Sequence, residues 1–329
     1  MKIGSVARGV FAALAAVVLA AAAVAPGSAQ SAYPNRPIRM VVGFAAGGGN
    51  DIFARLVGAK LSEILGQPVV IENKPAAGGR LSAEFVSHQL PDGYTLLVGA
   101  SGMMSIAAAI FPDLQYHPTK SFVPLSMIAS FPLIMAVSAD LPATNVKELV
   151  EWAKKNPDKA NYASSSPAFT ITTELLKLKS GMPGVMIPYK SSNEMILSVI
   201  SGQTTTAIAD GPPTVPQVKA GKIKALAVTG AARSAELPDT PSMAEAGYPG
   251  VDVHLWSGVF APAGTPARVV EKLQKALSQA IRDPGVSEKL KTMAVDPGGG
   301  SPEEFRRQID ADIVKFGEVV KAANLHFEE

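Results

Sequence analysis

Residues 38–66 decide the fold class; they read IRMVVGFAAGGGNDIFARLVGAKLSEILG. Ile38–Phe44 is a short apolar run followed by glycines, which favours a buried parallel strand. Asn50 is a suitable N-cap for a helix over Asp51–Leu65, whose apolar side chains fall on one side, and Gly66 ends that helix. A strand, a glycine turn and a helix in this order indicate an α/β fold.

Strands and helices alternate along the rest of the chain. We predict strands at Val69–Glu72, Thr95–Ala100, Leu133–Val137, Tyr162–Ser165, Thr205–Ala209, Ala225–Thr229 and Val259–Ala261. We predict helices at Arg80–Leu90, Asn145–Asn156, Thr170–Lys179, Glu194–Ser201 and Thr240–Gly247, with two more beginning at Thr265-Pro266 and Ser301-Pro302. The stretches Asp210–Pro216 and Asp296–Gly300, rich in proline and glycine, are predicted turns. This alternation with short connections indicates parallel strand pairing.

The composition of the 329 residues excludes several classes of protein. Cysteine is absent, which rules out a disulfide framework, a thiolate metal site and a cysteine nucleophile. The four histidines, His88, His117, His254 and His326, share no i, i+4 spacing, so a histidine-built zinc site is not expected. A net charge of +2 without a basic run does not favour nucleic acid. We therefore predict no metal ion, no cofactor and no nucleic-acid partner.

The first 29 residues have the pattern of a secretory signal peptide. Lys2 and Arg8 precede an apolar run at Val10–Ala25, and the small residues Gly27-Ser28-Ala29 follow a proline. The run of about 16 residues is shorter than the roughly 20 that span a bilayer, so a retained anchor is the weaker alternative. We expect cleavage after Ala29 and export to the periplasm. Cleavage removes two basic residues and no acid, which leaves a formal charge of zero.

The glycine turn is the first candidate binding site. Exposed amides at a glycine turn, together with the positive end of a helix dipole, suit a carboxylate or a phosphate; the alternative is a turn with no ligand. A nucleotide loop is excluded, because Asn50-Asp51 stand where a Walker motif has Lys-Ser/Thr, and Ile52 breaks the dinucleotide fingerprint. We therefore expect a small organic anion. The candidate residues here are Phe44, Ala45, Ala46, Gly47, Gly48, Gly49, Asn50 and Asp51.

A second candidate loop also joins a strand to a helix, and it carries hydroxyl groups. Its candidate residues are Ser164, Ser165, Ser166, Phe169 and Thr170. These hydroxyls can donate hydrogen bonds to the other end of a ligand; the alternative is a loop that only caps a helix. Because ligands bind outside the carboxyl ends of strands in open α/β sheets, we expect the two loops to share one site.

Four further residues are weighed individually. We expect Ser101 to end a strand and to face the cleft, and Tyr189 and Trp256 either line a pocket or pack as ordinary core or rim residues. Asp210 is a possible acid. Gly99–Met103 almost matches the nucleophile elbow motif, but Met103 stands in place of its last glycine. No histidine lies where it could be argued to act as a general base. We expect no catalytic residues; a periplasmic serine hydrolase that uses Ser101 or Ser164 is the alternative.

Ten ordered motifs give the chain a resemblance to a known family. They are YPNRPIR at 33–39, the Gly47–Asp51 turn, GQPVVIENKP at 66–75, AGG at 77–79, PDGYTL at 91–96, NYAS at 161–164, PYK at 188–190, AGK at 220–222, ALAVT at 225–229 and APAGTP at 261–266. In these motifs the chain resembles the tripartite tricarboxylate transporter substrate-binding family, the Bug proteins. The resemblance covers essentially all of the chain after the signal peptide.

The resemblance implies a periplasmic binding protein fold of type II, with two discontinuous lobes and a two-strand hinge. By analogy, lobe 1 comprises 30–129 plus 254–329, and lobe 2 comprises 130–253. One ligand carboxylate is implied at Gly47–Asp51 and the far end of the ligand at Ser164–Thr170, held by amides, hydroxyls and waters. The implied function is capture of a small organic carboxylate, expected to be a dicarboxylate, by a monomer that delivers it to membrane permease subunits. A sensor kinase is the alternative partner.

Two departures from the family pattern lie in the distal half of the site. The loop after Ser164 is shorter than in the family, and it has Pro167 and Phe169 but no histidine on the next helix. The family often carries an acid at the position of Ala209, whereas here Asp210 lies one residue later. A shift of one residue reverses the facing of side chains in a strand, so whether Asp210 faces the cleft stays open at this point.

Overall fold

A computed structural model describes residues 33–230 and 232–322 of the chain. Eleven strands are assigned in this part: β1 Ile38–Val42, β2 Val69–Asn73, β3 Thr95–Ala100, β4 Phe122–Pro132, β5 Ile134–Ser138, β6 Asn161–Ser164, β7 Val185–Pro188, β8 Thr206–Ala209, β9 Ile223–Val228, β10 His254–Pro262 and β11 Asp296–Pro297. They form one six-stranded and one five-stranded sheet.

Ten α-helices are assigned in the same described ranges: α1 Gly49–Leu65, α2 Arg80–Ser87, α3 Ala107–Ile110, α4 Val146–Lys155, α5 Pro167–Ser180, α6 Ser192–Ile200, α7 Gly211–Lys219, α8 Ala267–Arg282, α9 Pro284–Lys291 and α10 Pro302–Ala322. A 3-10 turn at Ala77–Gly79 precedes α2, and a π-helical turn at Gly102–Ile106 precedes α3. No helix in these ranges is long and apolar enough to cross a membrane.

The first sheet combines a parallel and an antiparallel half, in the order β11-β4-β10-β3-β1-β2. β1 pairs in parallel with β2 and with β3, and each of the three is followed by a helix. β10 pairs antiparallel with β3 on one side and with β4 on the other. The residues of β1 that were predicted to be buried are buried, with Ile38, Met40 and Val41 fully shielded from solvent.

The second sheet repeats this design in the order β7-β6-β8-β5-β9. β6 pairs in parallel with β7 and with β8, whereas β5 runs antiparallel to β8 and β9. The chain leaves the first sheet after Pro132 and returns to it at His254, and these two residues face each other in the β4–β10 pair. The predicted two-lobed α/β fold with discontinuous lobes is confirmed. The lobe boundaries after residues 129 and 253 stay a prediction.

The two crossings between the sheets are joined by one buried threonine. The Thr229 hydroxyl accepts a hydrogen bond from the Leu133 amide at 2.8 Å and donates one to the Val253 carbonyl at 2.6 Å. The Thr229 amide also donates to the Leu133 carbonyl at 2.8 Å. Because Leu133 belongs to the outgoing crossing and Val253 to the returning one, a single side chain holds both crossings together.

Several predicted elements are wrong or were missed. The stretch Asp210–Pro216 is not a turn: Asp210 is the N-cap of α7 and the rest of the stretch belongs to that helix. Two of its prolines lie in the first helical turn, where a missing N–H has no cost, and Pro216 lies inside the helix. Thr240–Gly247 is not a helix: a reciprocal Ser242–Glu245 capping pair is present, but only turns follow it before Gly247. β4, β7, α3 and α9 were not predicted, and the predicted turn Asp296–Gly300 begins with the short strand β11. The predicted signal peptide lies outside the described residues.

Trp256 belongs to the core of the first sheet. Its side chain is buried, and its ring meets the Phe305 ring edge to face with centroids 4.9 Å apart. Its Nε1 donates to Oδ2 of the buried Asp312 at 2.6 Å. Of the two interpretations for this residue, ordinary core packing is therefore confirmed.

Candidate functional site

Each sheet presents the carboxyl ends of three parallel strands to the other sheet. The loop after β1 reaches the segment after β7, since the Ala45 amide donates to the Lys190 carbonyl at 3.2 Å. The Gly49 amide, at the start of α1, donates to the Ser192 hydroxyl at 3.3 Å. The glycine turn therefore contacts the segment after β7 and the start of α6, whereas the serine loop contacts the first sheet at Gly78 and Gly102. That the two loops share one ligand site stays a prediction.

Glycines of the first sheet lie where a side chain would collide with the second. A Cβ added at Gly49 would lie 2.1 Å from Oδ2 of Asp210, and one added at Gly48 would lie 3.2 Å from Cβ of Ser191. At Gly102 the added atom would lie 3.1 Å from a Cβ in the first turn of α5. The two sheets are thus closed on each other, and this closure depends on glycine at these positions.

The Asp51 carboxylate holds the glycine turn in place through hydrogen bonds. Its carboxylate accepts the Gly47 amide at 2.9 Å, the Asn73 amide group at 2.9 Å, and the Arg55 guanidinium at 2.9 Å through Nε and again through a terminal nitrogen. Asn73 also donates to the carbonyl of the buried Phe44 at 3.0 Å. Burial acts to raise the pKa of Asp51, but these hydrogen bonds outweigh it, and the pKa lies below its ordinary value.

The serine loop is held by two of its own hydroxyls. The Ser164 and Thr170 hydroxyls are hydrogen-bonded to each other at 2.8 Å, and their oxygens lie 3.1 and 3.3 Å from the Ser166 carbonyl oxygen, to which the hydroxyl that does not donate to its neighbour can donate. Ser166 is the N-cap of α5, yet its side chain makes no capping hydrogen bond. Phe169 is buried in the first turns of that helix. Ser164 and Thr170 therefore shape the loop, whereas Ser165 and Ser166 carry its remaining hydroxyls.

Asp210 faces the first sheet. It is the N-cap of α7, only 1% exposed, and its carboxylate lies against Gly49. Burial raises its pKa to about 6, although hydrogen bonds from the Ser192 hydroxyl and from the amides of Asp210 itself and Gly49 act to lower it. The question that the sequence left open is thus answered, since Asp210 lies at the contact between the sheets.

Buried polar atoms without a partner gather at the candidate residues. Within the described ranges, four buried side-chain atoms have no hydrogen-bond partner: Asn50 Oδ1, Ser165 Oγ, Asp210 Oδ1 and Ser257 Oγ. Three of the four belong to predicted site residues, and none of these three is more than 8% exposed. Since buried polar groups in proteins are nearly always paired, this concentration favours a place where a ligand supplies the missing partners.

Three other candidate residues are Ser101, Tyr189 and Ala46. The buried Ser101 joins β3 to β10: its hydroxyl accepts the Trp256 amide at 3.2 Å, and its own amide donates to the Trp256 carbonyl at 3.0 Å. Tyr189 is half-buried and donates its amide to the Ser164 carbonyl at 2.8 Å. Ala46 is exposed at the rim of the glycine turn. That these three residues contact a ligand stays a prediction.

Comparison with known protein families decides which family this is. A family model described as tripartite tricarboxylate transporter family receptor matches residues 53–325. The chain belongs to this family.

Three relatives of this receptor cover nearly all of it. Protein BugT of Bordetella pertussis is 30% identical over 308 residues, which are 93% of this chain and 94% of BugT. An R. palustris protein solved with adipate is 34% identical, covers 89% of this receptor and 99% of its own chain, and superposes with a TM-score of 0.86. MatC from Rhodopseudomonas palustris, solved with bound malate, is 31% identical and covers 88% and 100%, with a TM-score of 0.84.

Membership of the family decides between binding and catalysis. The family and its solved members are substrate-binding proteins, so this receptor is a binding protein and not an enzyme. The serine hydrolase alternative is therefore wrong. Within the described residues, no group of three acidic or histidine side chains is placed to hold a metal ion.

Sequence reasoning missed part of the site of this receptor. Ser191, Ser192 and Asn193 contact the glycine turn, but they were not candidates because β7 had not been recognised. One signal was available: Ser191 and Glu194 form a capping box, in which the Glu194 amide donates to the Ser191 hydroxyl at 3.3 Å. Gly78, known only as part of a motif, was also missed; a Cβ added there would lie 3.0 Å from the Pro167 ring.

Proposed function

We propose that this receptor captures a small organic carboxylate between its two sheets and delivers it to the permease subunits of a tripartite transporter in the membrane. One observation carries the proposal. Two helices, α1 and α5, begin at the contact between the sheets without a side-chain cap, beside three buried polar atoms that lack partners.

The uncapped helix starts supply the groups that bind the anion. Amides in the first turn of a helix have no acceptor within the helix, and they carry the positive end of its dipole. Gly48 and Ser166 are the N-caps of α1 and α5, and neither provides a side-chain hydrogen bond. The side chain of Asp210 does not cap α7 either, and α7 begins at the same contact. A carboxylate is a suitable partner for such amides.

The charges around the glycine turn favour backbone recognition. Arg55 is paired with Asp51, and Lys74 is paired with Glu72 at 2.8 Å. The Asp51 carboxylate is itself occupied by hydrogen bonds from Gly47, Asn73 and Arg55, so it holds the turn and does not face a ligand as a free anion. We infer that amides and hydroxyls, rather than a cationic side chain, bind the carboxylate.

The structures of two relatives support the class of ligand. One R. palustris relative was solved with adipate and MatC with malate, and both compounds are dicarboxylates. The two helix starts of this receptor come from different sheets, which would place one carboxylate at each. A dicarboxylate is therefore the expected ligand for this chain as well.

The working step is closure of the two lobes, and no bond is broken. The close approach of Gly48 and Gly49 to the second sheet is the closed form, and the crossings at Leu133 and Val253 are where the lobes would pivot. A ligand that contacts both sheets favours the closed form over an open one. The pattern of the first 29 residues supports a periplasmic location for this cycle.

The test has two stages. Organic acids are screened by thermal shift, since a ligand at a hundredfold excess over its Kd stabilises the folded protein by about 2.7 kcal/mol. The best acid is then titrated by calorimetry into the wild type and into Gly48→Val, whose side chain would meet Ser191. Gly48 has an extended backbone that valine adopts, so the variant should fold and lose binding.

The control is Ala220→Val, which introduces the same valine side chain at an exposed position. It should bind with wild-type affinity. Unchanged affinity in Gly48→Val, or a screen in which no organic acid stabilises the wild type, would contradict the proposed function.

A further inference from the structure

The Asp210 carboxylate is buried with only part of its hydrogen-bonding capacity used. Its Oδ2 lies against Gly49, and the Ser192 hydroxyl and the Gly49 amide donate to the carboxylate. Its Oδ1 has no partner within the described residues, although the side chain is only 1% exposed. Leaving a buried carboxylate oxygen unpaired is costly, so this oxygen is an acceptor that a donor would satisfy.

Two further unpartnered oxygens come from the elements next to Asp210. Ser165 follows β6, and β6 pairs in parallel with β8, which Asp210 follows, so the two residues lie at the same edge of the sheet. Asn50 is the neighbour of Gly49, against which the Asp210 carboxylate packs. The Asn50 amide oxygen can only accept hydrogen bonds, and the Ser165 hydroxyl can accept or donate. The three unpartnered oxygens of Asn50, Ser165 and Asp210 can therefore all accept hydrogen bonds.

Among residues 33–230 and 232–322, no cationic side chain is paired with Asp210. The elements packed against it contribute the Gly49 amide from α1 and the Ser192 hydroxyl from α6, and its own amide is the remaining donor. The cations that α1 and β2 bring to the neighbouring turn, Arg55 and Lys74, are paired with other acids. A dicarboxylate of methylene groups alone would leave this acceptor unpaired on closure.

We propose that the ligand carries a hydrogen-bond donor on its carbon chain, a hydroxyl or an ammonium group, and that this donor binds Oδ1 of Asp210. The inference rests on the proposed capture of a carboxylate and specifies which carboxylates are captured. The carboxylates bind the helix starts, and the donor binds Asp210. Hydroxy acids and amino acids share this chemistry, and unsubstituted dicarboxylates lack it.

Matched acids test the proposal on the wild-type protein. Calorimetry is carried out with succinate, malate and aspartate, then with glutarate, 2-hydroxyglutarate and glutamate, and then with adipate, 2-hydroxyadipate and 2-aminoadipate, both enantiomers of each chiral acid included. Within a series the members differ only at C2. A hydrogen bond to a charged acceptor should make a substituted acid bind about tenfold to hundredfold more tightly than the parent acid.

Variants of Asp210 assign the preference to this residue. In Asp210→Ala the affinities within a series should converge, because the acceptor is gone. Asp210→Asn keeps a carbonyl oxygen but removes the charge, so a preference for ammonium should disappear while a preference for hydroxyl should persist in weaker form. Asp158→Ala, at an exposed position, should leave the wild-type order unchanged.

The outcomes separate this inference from the proposed function. If unsubstituted acids bind the wild type as tightly as their substituted partners, or if the preference survives in Asp210→Ala, the inference is overturned while carboxylate capture stands. If no acid of any series binds, the proposed function itself fails. Should Asp210→Ala not fold, the comparison in the wild type and the Asp210→Asn variant decide.

Discussion

The Cα of Gly49 lies directly against the carboxylate of Asp210: an added Cβ would lie 2.1 Å from Oδ2 and 2.8 Å from Cγ. The two residues belong to loops of different sheets, and the Ser192 hydroxyl adds a hydrogen bond to the Gly49 amide at 3.3 Å. Glycine is required here for space and not for its backbone angles, because its φ lies outside the left-handed region. The close contact between the two sheets at this point therefore depends on the absence of a side chain at Gly49.

Replacing Gly49 with alanine should weaken ligand binding without unfolding the protein. Gly49 is the first residue of α1, where alanine is a good helix former, but the new methyl group would collide with Asp210 on closure. Overpacking of about 1–3 kcal/mol corresponds to a loss of affinity of about fivefold to 150-fold. Calorimetry with the acid found by screening measures this loss.

Gly317→Ala is the control for that variant. Gly317 lies within α10, and an added Cβ there would be in ordinary contact with Ala109 at 3.9 Å. This change should stabilise the fold by about 0.5–1 kcal/mol and leave affinity unchanged. Equal affinities of Gly49→Ala and the wild type would show that closure at Gly49 is not part of binding.

Asp51→Ala should destabilise the protein by about 1–3 kcal/mol at pH 7, because the half-buried donors of Gly47 and Asn73 lose their hydrogen bonds to this carboxylate. The folded-state pKa of Asp51 is lowered, so its contribution is present above the unfolded value of about 3.9 and is lost as the pH falls through the folded pKa. Urea unfolding should therefore show a difference between variant and wild type that shrinks below about pH 4. A difference independent of pH would contradict the ionic role of Asp51.

Asp210 should make the ligand-free protein less stable as the pH rises. Its pKa of about 6 in the folded state exceeds its ordinary value of 3.8, so the folded protein keeps a proton that the unfolded chain releases. Stability then falls between those two values, by about 3 kcal/mol in total. Asp210→Asn should lack this decline in urea unfolding between pH 4 and pH 7, whereas Asp158→Asn should follow the wild type. Parallel pH profiles for all three proteins would be the contrary result.

Thr229→Val should lower the free energy of unfolding by about 2 kcal/mol or more. The exchange keeps the shape of the side chain but leaves the Leu133 amide and the Val253 carbonyl without their buried partner. Thr292→Val is the matched change at an exposed threonine, whose hydroxyl bonds the Lys289 carbonyl, and it should cost far less. If both variants unfold at the same urea concentration, Thr229 does not hold the crossings together.

Elements with a continuous apolar pattern could be predicted from the sequence. Ile38–Phe44 was predicted as a strand and β1 is Ile38–Val42, and the helix predicted at Asp51–Leu65 is α1. Such elements bury a face that the spacing of their residues reveals. Strands interrupted by proline were missed. Pro124 lies in β4 where β11 does not pair, because β11 covers only Ala129 and Ser130, so the strand tolerates it.

Candidate site residues could be predicted where the residue types of a loop, such as glycines or serines, themselves indicated ligand binding. The glycine turn and the serine loop carried such signals, and they do lie at the contact between the sheets. Ser192 and Asn193 carried none, because the strand before them is a four-residue edge strand with exposed Val185 and Met186. The hydrogen bonds of the Ser164 and Thr170 hydroxyls to each other and to the Ser166 carbonyl depend on the fold of the loop, which residue types alone do not determine.

The structure of the complex with the acid found by screening tests the central claim most directly. The account predicts that the carboxylate oxygens lie within hydrogen-bond distance of first-turn amides of α1 and α5, with Asp51 still bound to Gly47. A ligand held chiefly by arginine or lysine side chains, or bound away from the contact between the two sheets, would contradict it.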